Sequence, residues 1–130
     1  MDLSSIELPG CEVESIRHDG ERVIVRFSRA FIIQTMTGSA ERTRWHQSGA
    51  LVFEQAEVEG ELPSCPCVCT GGDVGENIYT YRDMIPIPLE SHGRAHCDLH
   101  FEGGGRLRLQ AEGVRLEMED RPYYIEHIRE

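Results

Sequence analysis

The chain has 130 residues, a formal net charge of −10, five cysteines, and thirteen basic residues that are all arginine. That length is the usual size of one domain, burying roughly two thirds of its unfolded surface, and the acidic balance argues against nucleic acid or an anionic membrane as partner and for a basic protein. Without a lysine, Schiff-base chemistry, a lysine general base and a P-loop lysine all drop out, and the arginine bias is that of a GC-rich bacterial coding sequence.

The N-terminal MDLSSIELPG has neither a basic start nor an apolar run, so a secretory signal is not evident, and no stretch approaches transmembrane length. A cytoplasmic location is expected. An odd number of cysteines in such a chain reads as reduced thiols rather than a disulfide framework.

From Cys11 to Met36 the sequence predicts a hairpin: Asp19-Gly20 suits a two-residue turn with positive φ, and Val23, Val25 and Phe27 alternate after it. From Thr37 to Ser48 two patterns compete. Ser39 would cap a short helix, whereas Thr43 and Trp45 alternate as a strand, and the strand is preferred. Leu51 and Phe53 resume the alternation, and Glu54 to Glu61 reads as solvated.

Pro63 and Pro66 flank a cysteine cluster, after which Thr70 to Asn77 (TGGDVGEN) reads as a turn-rich loop between two strands. Ile78 to Tyr81 alternates again. Ile85 to Leu89 (IPIPL) must be an extended edge or polyproline-like segment, because Pro86 and Pro88 cannot donate to a ladder.

The clearest signal is RAHCDLHFEGGGRLRLQAEGVRLEM, Arg94 to Met118. Cys97, Leu99 and Phe101 share one face, Gly103-Gly104-Gly105 turns the chain, and Leu107, Leu109 and Ala111 share a face of the next strand. Apolar parity then flips to Val114, Leu116 and Met118, which requires a bulge, bend or tight turn at Glu112-Gly113. Tyr123 to Ile128 reads as a closing strand. The expected fold is a single all-β domain over residues 1–130, an antiparallel sandwich or barrel-like sheet of about eight to ten short strands.

Cys65-Pro66-Cys67-Val68-Cys69 is the most unusual local chemistry. On an extended backbone the three thiols face one way, about 6.6 Å apart at Cα, and curvature would bring two thiolates onto one soft metal such as zinc, with Cys97, Cys11 or a histidine completing the shell. The spacing is not the C-x-x-C of a zinc ribbon. Buried core thiols are the plainer reading.

His92, His96 and His100 recur every four residues, yet on a strand His96 and His100 stand about 13 Å apart and cannot share a metal. His96, Asp98 and His100 should line the face opposite Cys97, Leu99 and Phe101, forming either a solvent row across from Arg106 and Arg108 or, if covered, a polar interaction site. Tyr123 and Tyr124, being adjacent, must point to opposite sides, and an outward Tyr124 suits an interface. Asp73, Glu76 and Asn77 lack calcium-loop spacing, and the glycine triplet joins strand to strand and so cradles no phosphate.

These readings favour a non-catalytic binding or interaction module without cofactor, serving a basic protein or small ligand, with self-association open through an exposed edge. The alternative is a metal-thiolate protein or metalloenzyme on Cys65, Cys67, Cys69 and Cys97.

Overall fold

The computed structural model describes residues 3–36, 38 and 41–128. It is all-β, a single antiparallel sheet curled into a half-barrel. Among the described residues there are twelve strands and one 3-10 turn. They are β1 (Leu3–Asp19), β2 (Arg22–Thr35), β3 (Arg42–Glu54), β4 (Glu57–Glu59), β5 (Cys67–Glu76), β6 (Tyr79–Arg82), β7 (Met84–Ile87), β8 (Glu90–Ser91), β9 (Ala95–Phe101), β10 (Arg106–Ala111), β11 (Gly113–Met118) and β12 (Tyr123–Ile128). The main path runs β4-β10-β9-β5-β1-β2-β3-β11-β8, with β12 on β3, β6 on β5 and β7 on β1.

The first three strands are not short: they span 17, 14 and 13 residues. Each serves two sets of neighbours. The first half of β1 pairs with β7 and its middle with β5, while β3 pairs with β12 through Arg42 to His46 and with β11 through Gly49 to Glu54. Strands of this length stay on one core only by bending, and the bends lie where the ladder slips register, between Glu7 and Ser15 on β1 and between Phe27 and Ala30 on β2. Buried parity changes at the same places. Ile6 and Leu8 give way to Cys11 and Val13, and Val23, Val25 and Phe27 give way to Ala30 and Ile32.

The parity flip at Glu112-Gly113 is a bend between strands of different neighbourhoods: β10 lies between β9 and β4, whereas β11 lies between β3 and β8. Glu112 N–H donates to Glu54 O at 2.9 Å, opening the new ladder. Gly113 is buried there, and a Cβ on it would stand 3.3 Å from Ser91 O and 3.5 Å from Glu54 Cβ, so the corner is tight.

Two further expectations need correction. Thr70 to Asn77 is not a loop, since all of it up to Glu76 belongs to β5, with Val74 fully buried. The glycines that read as turn residues instead let two backbones meet: Gly72 has φ +136 and sits so near Asp98 O and Leu99 Cα that no side chain fits. The first hairpin is one residue out. Asp19 pairs with Arg22, so the two-residue turn is Gly20-Glu21, with Gly20 at φ +65 in the first position.

The strand reading of Thr43 and Trp45 holds within β3, while Ser39 lies outside the described residues. The IPIPL segment provides β7, pairing Ser5 with Pro86 on β1, and the last segment is β12. One core runs through the curl, with Phe27, Phe53, Leu51, Leu99 and Leu107 at 0% exposure. Burial of each such side chain contributes about 1.5–3 kcal/mol.

Candidate functional site

Cys97, Leu99 and Phe101 on β9 are buried, and Leu107, Leu109 and Ala111 on β10 are buried opposite them. The other parity therefore faces out, as the alternation required. His96 pairs with Gln110, Asp98 with Arg108, and His100 with Arg106. On the other side of β9, His96 stands opposite Gly75, Asp98 opposite Asp73, and His100 opposite Gly71.

This outer face is an ion-pair lattice. Asp98 accepts two hydrogen bonds from Arg106, from Nε and Nη2, both at 2.7 Å. These hold its carboxyl below the usual aspartate range, the direct hydrogen bond from Arg106 being the main cause. His100 Nε2 lies 3.6 Å from Asp98 Oδ1, Arg108 faces Glu59 at 3.4 Å, and Arg82 faces Asp73 at 3.3 Å. Asp73 and Asp98 are like charges directly across a ladder, so each needs its own arginine.

His96 takes no part in that lattice. A Cβ on Gly75 would fall within the space of the His96 ring, so the missing side chain leaves room for the imidazole to lie across β5. There it borders an open cavity of about 600 Å³. Arg94 on the approach to β9, Gln110 on β10, Glu112 at the bend, Glu57 on β4 and Asn77 after β5 complete the wall. Asn77 N–H donates to Arg94 O at 2.7 Å, which ties the two ends of the paired strands together beside the opening. The cavity offers a guanidinium, an imidazole, two carboxylates and amide groups, the inventory of a site that holds a polar molecule by hydrogen bonds.

The other sequence-derived residues fall elsewhere. His96 and His100 belong to different depressions, His100 lying beside Thr70, Arg82 and Asp83. Tyr124 is on β12, separated from β9 by β5, β1, β2 and β3 in the sheet order. It meets Trp45 edge-on at 5.3 Å, and Tyr123 stacks on His46 at 5.2 Å. Both tyrosines are exposed, at 38% for Tyr123 and 56% for Tyr124, so the expectation that only one faces out gives way. At the sheet's margin, opposite faces are both open.

The cysteines divide into two groups. Cys65 Sγ and Cys67 Sγ stand 3.8 Å apart, half-buried, at the margin of the core. Cys11, Cys69 and Cys97 are inside it. Cys69 Sγ faces Gly71 O at 3.5 Å and Cys97 Sγ faces Leu107 O at 3.8 Å, each turned to its own backbone acceptor. Burial pushes the Cys69 thiol up to about 11 and Cys11 to about 12, and it raises Cys97 as well. Cys67 is pushed up to about 12 by burial and by the adjoining Cys65. Of the four cysteines proposed from the sequence to share a metal, only Cys65 and Cys67 have their sulfurs in contact, and among the described residues no three His, Cys, Asp or Glu side chains converge as ligands.

The sequence reading misses Arg94, Gln110, Glu112 and Glu57, and weighs Asn77 only as a calcium-loop residue. Arg94 and Gln110 were within reach of it, since both continue the outward parity of His96. Glu57 and Asn77 arrive by long-range pairing that no local pattern encodes. Compared with known protein families, curated proteins and solved structures, the chain matches none.

Proposed function

We propose that the protein is a non-catalytic binding module that takes a small polar ligand in the cavity beside His96. The observation that carries this reading is the cavity wall itself, where Arg94 and His96, Glu57, and Glu112 face one space of about 600 Å³ from three segments of the chain. The backbone of β4, β9 and the bend after β10 sets where these groups stand, while their side chains order on the ligand. The mixture of a guanidinium, an imidazole and two carboxylates suits a ligand with both donor and acceptor groups.

The test is a thermal-shift screen of small polar metabolites, followed by calorimetry of any hit on wild type and on Arg94→Ala and His96→Ala. A hit whose affinity drops tenfold or more in both variants supports the site. Unchanged affinity in both moves binding elsewhere and removes the proposal. The net charge of −10 favours a basic polypeptide as the second class of occupant, and a hit confined to basic peptides would replace the small-ligand reading.

A further inference from the structure

We infer that Cys65 and Cys67 form a thiol–disulfide exchange site, a dithiol that small disulfides oxidise to an intramolecular bridge. The geometry comes first. Their sulfurs are 3.8 Å apart, close to van der Waals contact and just beyond the range of about 3–3.5 Å from which atoms react. A disulfide needs about 2.05 Å, and rotation about the two Cα–Cβ bonds closes sulfurs that already face each other.

Access separates this pair from the remaining thiols. Cys65 and Cys67 are half-buried with Pro66 exposed between them, whereas Cys11, Cys69 and Cys97 are 0%, 1% and 3% exposed. A dissolved disulfide therefore reaches only this pair. The location also tolerates the change, because Cys65 precedes β5 and Cys67 is its first residue, at the edge of the core rather than within it.

The exchange balances without any further reactant. Because burial and the adjoining Cys65 hold the Cys67 thiol protonated, Cys65 is the attacking sulfur: it bonds to one sulfur of a small disulfide RSSR, the RS–SR bond breaks, and the departing RS⁻ takes the proton that Cys65 gave up. The second thiol then attacks the mixed disulfide, forming the Cys65–Cys67 bond and releasing the second RSH with its proton. The protein is oxidised by two electrons and RSSR is reduced to two RSH. The second step is fast relative to capture of another molecule, because its partner is already in contact.

Reduced protein incubated with oxidised glutathione, then denatured, alkylated and weighed, provides the test. Wild type is expected to lose two hydrogens and to alkylate at three of its five thiols, with the bridge mapped by digestion to Cys65 and Cys67. At least one of Cys65→Ser and Cys67→Ser should stop at the mixed disulfide, carrying one glutathionyl group. Wild type that keeps five free thiols, accumulates the glutathione adduct, or bridges other cysteines overturns the inference, as does either variant still losing two hydrogens.

Discussion

His96 on β9 stands directly opposite Gly75 on β5, and its imidazole fills the space that a side chain there would take. The glycine thus sets the position of the histidine that borders the cavity. Gly75→Ala forces the ring outward, and because an imidazole at a surface can swing away, the expected cost is only about 1 kcal/mol. In a His96→Ala background the same substitution should be nearly neutral. A double-mutant cycle by urea denaturation measures the coupling, and additive losses would mean that the two residues do not share this space.

Gly72→Ala should behave differently. Its Cβ would meet Asp98 O and the Leu99 backbone, at a φ of +136 that side chains rarely adopt. Neither backbone atom can rotate away, so the loss should be about 3 kcal/mol or more. A variant as stable as Gly75→Ala would show that β5 and β9 leave room for a side chain at position 72.

The parity of β9 gives a sharper comparison between neighbours in sequence. Leu99→Ala removes a fully buried side chain and should cost about 2–5 kcal/mol, whereas exposed His100→Ala should change stability by less than about 0.5 kcal/mol. Equal losses in chemical denaturation would reverse the assignment of inner and outer faces.

Acid stability depends on carboxylates held by arginine. Arg106 lowers the Asp98 carboxyl, Arg22 that of Glu54, and Arg26 that of Glu119. A carboxyl lowered by folding contributes stability that is present above its unfolded value, about 3.9 for aspartate, and is lost as pH falls through the folded one. Denaturation midpoints should therefore fall below about pH 4. Asp98→Asn should reduce that slope while lowering stability at neutral pH, and an unchanged acid limb would remove Asp98 from it.

The alkaline side carries the opposite sign. Burial raises the thiols of Cys11, Cys69 and Cys97, so each stays protonated in the fold while the unfolded chain ionises near pH 8.5. Their contribution is intact below that pH and declines as pH rises toward the folded values. Urea midpoints measured from pH 7 to 10 should decrease, and Cys97→Ala should decrease less steeply from a lower start. A flat profile in wild type would mean that these thiols ionise as freely in the fold as outside it.

How far the sequence reaches differs from one segment to the next. Alternation in Cys97 to Phe101 and Leu107 to Ala111 determined strand type, buried face and the outward row of His96, Asp98 and His100, because side-chain direction along a strand is a strictly local property. The parity flip located the bend at Glu112-Gly113 for the same reason. The absence of lysine and the net charge of −10 narrowed the chemistry before any contact was known.

Only the tertiary structure decided what faces each of those residues. Gly72 and Gly75 look like a loop in sequence because their role, letting β5 press against β9, exists only once Asp98 and His96 lie beside them. The withdrawal of Cys69 and Cys97 into the core, and the meeting of Arg94, His96, Glu57 and Glu112 around one cavity, are likewise decided by curvature and strand order. A local pattern specifies which way a side chain points. What it points at depends on chain segments distant in sequence, brought together by burying one shared core.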